Sequence, residues 1–194
     1  GLAGRKRLVR NPRARLPLLD LLLPSLRTLS PAEGEWLLDT VDRAIHADRR
    51  VKLFELTLLH LLRRTLSWPD ASDRRAFRHH SFSNLGDEAA ALLSALAWAG
   101  SVNDEKAARD AFTAAVRRLP AEVGEPRFSP RNEVSVGTVA RALEDFQHAS
   151  PDVRRRLLEA CALCASHDGR IGVSEGELLR AISEALDCPI PPLV

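Results

Sequence analysis

Four carboxylates at matched spacing are the residues best suited to chemistry in this sequence. Asp168 and Glu175 stand seven apart, and Asp48 and Glu55 repeat that spacing 120 positions earlier. In each case the Asp closes one helical pattern and the Glu opens the next, so a tight turn would bring the two carboxylates together. Hard cations such as Ca²⁺, Mg²⁺ or Mn²⁺ take carboxylate oxygens in this way. A purely structural account is also available: Asp-Gly is an ordinary turn pair, and a Glu in a first helical turn is favoured by the helix dipole. Arg49 stands where the second copy has Gly169, and Arg50 and Arg170 occupy matching positions that can neutralise the acids without a metal.

Other chemistry-bearing types are less well arranged. Cys161, Cys164 and His167 fall at helical i, i+3 and i+6, a spacing compatible with zinc or redox work if Cys188 joins them. Their counterparts in the first copy are Val41, Ala44 and Ala47, which favours small core residues instead. Gly172-Val173-Ser174-Glu175-Gly176 has the G-x-S-x-G form of serine hydrolases. That motif needs a strand-to-helix elbow and a later acid and His, and no His follows. Ser174 with Glu177 fits a helix N-cap and its capping-box partner better. The six histidines contain no H-E-x-x-H, and no phosphate-binding loop or dinucleotide fingerprint occurs. His79-His80 beside Arg74, Arg75 and Arg78 reads as a solvated loop.

The elements that must hold these residues are helical. Leu, Ala and Arg dominate the 194 residues and aromatics make up only 5%, which favours helices over strands. The 120-residue offset extends beyond the acids: Ser30-Pro31 falls on Ser150-Pro151, Leu37-Leu38 on Leu157-Leu158, Leu58-Leu59 on Leu178-Leu179 and Leu62 on Ile182. The expected fold is therefore all-α, a bundle of two pseudo-repeated helical hairpins with an Ala-rich helix pair inserted alongside. We assign residues 1–15 as a basic leader and 16–194 as one helical domain. Within it the first hairpin copy covers 30–66, the inserted pair 85–119, a Pro/Gly-rich linker 120–137 and the second copy 150–186. Ser30-Pro31-Ala32-Glu33 is a strong helix start, and the nearly all-apolar stretch 53–66 is expected to be the central buried helix.

Charge is uneven. Arg5, Lys6, Arg7, Arg10, Arg13 and Arg15 lie in the first 15 residues without one acid, and subtracting those six from 28 leaves 22 basic against 26 acidic residues. Such a cationic segment can act as a tail or can hug an anionic membrane surface or partner. Nucleic acid is not expected, because the leader lacks the aromatic platforms that single strands need. Three cysteines are no disulfide framework and suggest a reducing compartment. The apolar run Leu16 to Leu26 is about half the length of a membrane span, and Pro17, Asp20 and Pro24 interrupt it. The absence of Met, even at position 1, suggests a piece of a longer protein.

Two resemblances follow from particular residues. Asp168-Gly169-Arg170-Ile171-x-x-x-Glu175-x-Glu177-Leu178-Leu179 resembles the acidic hairpin of the tellurite-resistance TerB-like helical domains. That resemblance implies divalent-cation ligands at Asp168 and Glu175, and less directly at Asp48 and Glu55. Arg15-Leu16-Pro17-Leu18-Leu19 through Leu29-Ser30-Pro31, Leu53-Phe54-Glu55, Leu93-Ser94-Ala95-Leu96-Ala97 and Ala185-Leu186-Asp187-Cys188-Pro189-Ile190-Pro191-Pro192 together resemble the C-terminal tail of bacterial membrane zinc metallopeptidases of the CAAX-prenyl-protease-like, HtpX type. This implies a non-catalytic C-terminal module whose partner is the parent protease domain. The catalytic zinc would belong to that absent domain, the module would lie at the cytoplasmic face of the inner membrane, and the fragment by itself would be soluble. The alternative is a stand-alone cation-binding module of metal or stress response.

Overall fold

The computed structural model describes residues 18, 21–46, 59, 62–63, 65–66, 77–101 and 103–188. The chain divides into two compact units, one formed by Gly1–Val51 with Leu58–Asp70 and the other by Lys52–Thr57 with Ala71–Val194. All regular structure among the described residues is helical, as composition requires, apart from one isolated parallel bridge between His79 and Ala149.

In the first unit, residues 21–26 form a short helical turn and Pro31–His46 form α1. The start of α1 is the one its sequence calls for. Glu33 accepts hydrogen bonds from the Ser30 backbone N–H at 2.8 Å and the Ser30 hydroxyl at 2.7 Å, which together hold its carboxyl below the ordinary carboxylate range. Leu59, Leu62 and Leu66 are helical and buried, and Arg63 reaches Asp42 of α1 at 3.6 Å.

The second unit contains α2 (Gly86–Gly100), α3 (Glu105–Val116), a 3₁₀ turn (Ala121–Val123), α4 (Val136–Gln147), α5 (Pro151–Ala165) and α6 (Val173–Ala185). The Ala-rich pair packs against the helices of the second hairpin, and α2 is the central element of this unit, touching α3, α4, α5 and α6. The reason lies in its side chains. Ala89, Ala90, Leu92, Leu93, Ala95, Leu96 and Ala97 are all buried, so the helix is apolar nearly all round, and its small Ala positions admit close neighbours while the leucines fill the gaps. Full burial of each leucine contributes about 1.5–3 kcal/mol.

Residues 120–137, which composition marks as a linker, are packed onto this core. Phe128 sits between Trp98 and Phe112, with ring centroids 5.5 and 5.4 Å away, and the Arg109 guanidinium lies 4.8 Å over its ring. Trp98 Nε1–H donates to the Ser129 carbonyl at 3.0 Å, and the Ser129 N–H donates to the hydroxyl of fully buried Ser94 at 3.1 Å. Proline and glycine here break the helix without detaching the chain.

Helix starts again follow local chemistry. Ser135 caps α4, its Oγ accepting from Thr138 N–H while Thr138 Oγ1 accepts from Ser135 N–H, both at 3.1 Å. Ser150 precedes Pro151 as Ser30 precedes Pro31, yet its hydroxyl makes no cap bond. The residue three positions on is Val153 rather than a Glu, so the reciprocal partner is missing.

Candidate functional site

The bend from α5 to α6 carries the acids that sequence singles out. Gly169 adopts φ +80°, the left-handed conformation that glycine enters without steric penalty, and this reverses the chain after α5. Asp168 Oδ1 accepts the Arg170 N–H at 3.0 Å in a local turn and remains exposed. Glu175 points the other way. Only 8% exposed, it accepts the Gly172 N–H at 2.6 Å through Oε2 and so closes the first turn of α6.

The cap is therefore Gly172 with Glu175, and the Ser174 with Glu177 capping box expected from sequence is not formed. The N-cap lies two residues earlier than expected, at Gly172, and the helix begins at Val173, which leaves Ser174 inside the first turn and exposed. Glu175 also marks the contact between α6 and the last turn of α2. A Cβ built on Gly100 would lie 1.9 Å from Glu175 Oε1, so the carboxylate occupies the space that the missing side chain leaves. Burial pushes the Glu175 carboxyl up, the Gly172 N–H opposes that, and the Asp168 charge adds to the rise. The two acids of this hairpin thus sense each other.

Two carboxylates, each already accepting a backbone N–H, do not supply the six to eight oxygens of a calcium site or the octahedron of magnesium. No group of three His, Cys, Asp or Glu side chains able to hold a metal ion occurs among the described residues. The residues present at this bend therefore do not by themselves fit a cation. Asp48 and Glu55 lie outside the described residues, as do Arg5, Lys6, Arg7, Arg10, Arg13 and Arg15.

The cysteines are core residues. Cys161 and Cys164 are buried and free, with Cys164 Sγ–H donating to the Leu93 carbonyl at 3.6 Å. Burial pushes the Cys161 thiol far up and that of Cys164 to about 12, with Glu175 adding to the latter. Neither is a thiolate at neutral pH, so neither is a ready nucleophile or metal ligand. Cys188 is half-buried and also raised, chiefly by burial. His167 is exposed beyond the end of α5. The G-x-S-x-G segment enters α6 from a loop rather than a strand, so it forms no nucleophile elbow. His79 plays a structural part, because its backbone bridges to the α4–α5 junction, donating to His148 O at 3.2 Å and accepting Ser150 N–H at 2.8 Å.

Two residues that sequence reasoning passed over organise this region. Gly100 reads as a helix end, and nothing nearby in sequence announces the carboxylate 75 positions later that fills its space. Arg154 reads as one of three consecutive surface arginines, yet its side chain is only 11% exposed. Its Nη1 donates to the Leu186 carbonyl at 3.0 Å at the end of α6, and its guanidinium lies 5.6 Å over the Phe77 ring. Leu157 and Leu158 stand three and four positions after Arg154, which puts it on the apolar face of the helix, and that was the available signal.

No helix among the described residues is long and apolar enough to cross a membrane. No protein-family model, curated protein or solved structure matches this chain.

Proposed function

We propose that this chain is a non-catalytic helical module that docks onto another protein and positions or regulates it, and that the partner is a membrane-bound zinc metallopeptidase of the type its sequence resembles. The observation that carries this reading is the disposition of Glu175. The buried acid at the best chemical motif is engaged in holding α6 against α2 and is withheld from solvent.

A docking module also needs exposed side chains able to anchor a partner. Trp36 on α1 is 66% exposed, and tryptophan is over-represented among residues that dominate binding energy. The parent protease would hold the zinc and do the chemistry, and the module would lie at the cytoplasmic face of the membrane that carries it.

Two measurements test the proposal. The purified chain is expected to leave casein intact, and cleavage that a chelator abolishes would overturn the non-catalytic assignment. Pulled against the catalytic part of an HtpX-type protease, the chain is expected to form a complex that Trp36→Ala weakens at least tenfold, the loss of a typical hot-spot residue. No complex with that protease would sink the choice of partner.

A further inference from the structure

We infer that the exposed face of α1 around Trp36 receives an arginine of a partner segment, its guanidinium stacked on the indole and held by Glu33 and Asp39. The inference rests on Trp36 being a docking anchor and adds the chemistry of what it anchors. Trp36 is 66% exposed, and Glu33 and Asp39 stand three positions before and after it, so all three share one side of the helix. At a rise of about 1.5 Å per residue the two acids lie about 9 Å apart along the axis, with the ring between them.

Each acid keeps an oxygen for a partner. The two Ser30 bonds to Glu33 both fall on Oε2 and hold the carboxylate ionised, which leaves Oε1. Asp39 meets Arg43 through Oδ2 at 2.7 Å, and an ion pair between two largely exposed side chains contributes little and leaves Oδ1. Asp42, six positions past Trp36, lies on another side of the helix, where Arg63 reaches it at 3.6 Å.

Ring and carboxylates together select a guanidinium. Its plane stacks on an indole, its N–H fork matches a carboxylate, and it is more weakly hydrated than an ammonium. The chain uses this combination twice in its own packing. Arg109 lies 4.8 Å over the Phe128 ring and pairs with Glu105 at 2.7 Å, and Arg154 lies 5.6 Å over Phe77 and meets Asp187 at 3.7 Å. A purely apolar partner covering Trp36 would strip water from two charges and return nothing. An anionic surface would meet them with the wrong sign. A cationic segment satisfies ring and acids at once.

The test is titration of the full, isotope-labelled chain with synthetic Gly/Ser peptides that carry two arginines, two lysines or two citrullines, the last being neutral isosteres of arginine. The indole N–H signal of Trp36, identified by its loss in Trp36→Ala, is expected to shift with the arginine peptide, less with the lysine peptide and not with the citrulline one. Raising the salt should weaken the response. Trp36→Ala should weaken arginine-peptide binding about three- to fivefold, and Glu33→Gln with Asp39→Asn about fivefold. Gln serves the capping box as Glu does and Asp39 is exposed, so the charge-neutral variant is expected to melt as the wild type does.

An equal response to the citrulline peptide, no response to any peptide, or wild-type arginine binding by either variant would overturn the inference. No protease is present in this titration, so arginine binding without a protease complex would sink only the choice of partner. A protease complex weakened by Trp36→Ala and untouched by Glu33→Gln with Asp39→Asn would keep the docking reading and overturn the arginine.

Discussion

Replacing Gly100 by Ala tests the contact between α2 and α6 directly. Taken as a helical position, the change should help, since Ala is about 1 kcal/mol better than Gly in a helix interior. The structure reverses that sign. The new Cβ would stand 1.9 Å from Glu175 Oε1, 2.6 Å from its Cδ and 3.3 Å from its Cγ, so the carboxylate must leave. Its departure breaks the bond to Gly172 N–H, and a hydrogen bond to a charged group contributes about 1.5–3 kcal/mol. Movement of a flexible side chain limits the damage, so we expect Gly100→Ala to destabilise by about 1–2 kcal/mol net. In a chain of this size that is a fall in melting temperature of about 2–8 °C.

The assay is urea and thermal unfolding of Gly100→Ala, Glu175→Ala and the double variant. With Glu175 truncated, the added methyl has room, and Gly100→Ala should become neutral or favourable. The two changes should then be non-additive by at least about 1 kcal/mol, the range found for residues in direct contact. A Gly100→Ala protein as stable as wild type, or strict additivity, would refute the close approach of the two helices at this point.

Three further outcomes are expected. Burial raises the Glu175 carboxyl, so its folded state holds the proton more tightly than the unfolded chain, and the stability it contributes is present below its ordinary value of 4.5 and lost as the pH rises through the elevated folded value. Glu175→Gln should therefore gain stability relative to wild type as the pH is raised from acid toward neutral, and a difference that stays flat across melting curves from pH 4 to pH 7 would refute the assignment. Ser135→Ala should lower stability by about 1 kcal/mol through its lost capping box, whereas Ser150→Ala should be close to neutral because its hydroxyl caps nothing; calorimetry on both separates them. Titration with Ca²⁺, Mn²⁺, Mg²⁺ and Zn²⁺ should leave the melting temperature unchanged, since Asp168 and Glu175 are engaged by backbone N–H groups. A gain of about 2.7 kcal/mol at a hundredfold excess over the dissociation constant, lost in Asp168→Ala, would instead favour the stand-alone cation-binding alternative.

Helix positions were legible because their determinants are local. The Ser30-Pro31-Ala32-Glu33 start, the Ala-rich helix pair within 85–119 and the two helices within 150–186 follow from capping chemistry and apolar periodicity. Where two caps compete, sequence alone misleads: Ser174 with Glu177 has the right types, yet Glu175 can also reach Gly172, and contact with Gly100 decides between them. The centrality of α2 was hidden for a related reason. Alanine counts weakly in an apolar pattern, and its value appears only when four helices use the space it leaves. The packing of Phe128 and Ser129 was masked by their proline and glycine neighbours, which report backbone breaks and say nothing of what side chains do afterwards. The hairpin pseudo-repeat and the acids Asp48 and Glu55 fall wholly or partly outside the described residues, so the sequence pattern is what supports them.

The central place of α2 bears on how this protein is made. Its last partner, α6, ends at Ala185, about 85 residues after Gly100. At a ribosomal pace of 5–20 residues per second, a greasy helix is synthesised roughly 4–17 s before its final neighbour exists. During that interval Leu92, Leu93 and Leu96 lack the neighbours that bury them in the finished fold, and transiently exposed apolar surface of this kind favours aggregation. Any form truncated ahead of α5 should accumulate as aggregate.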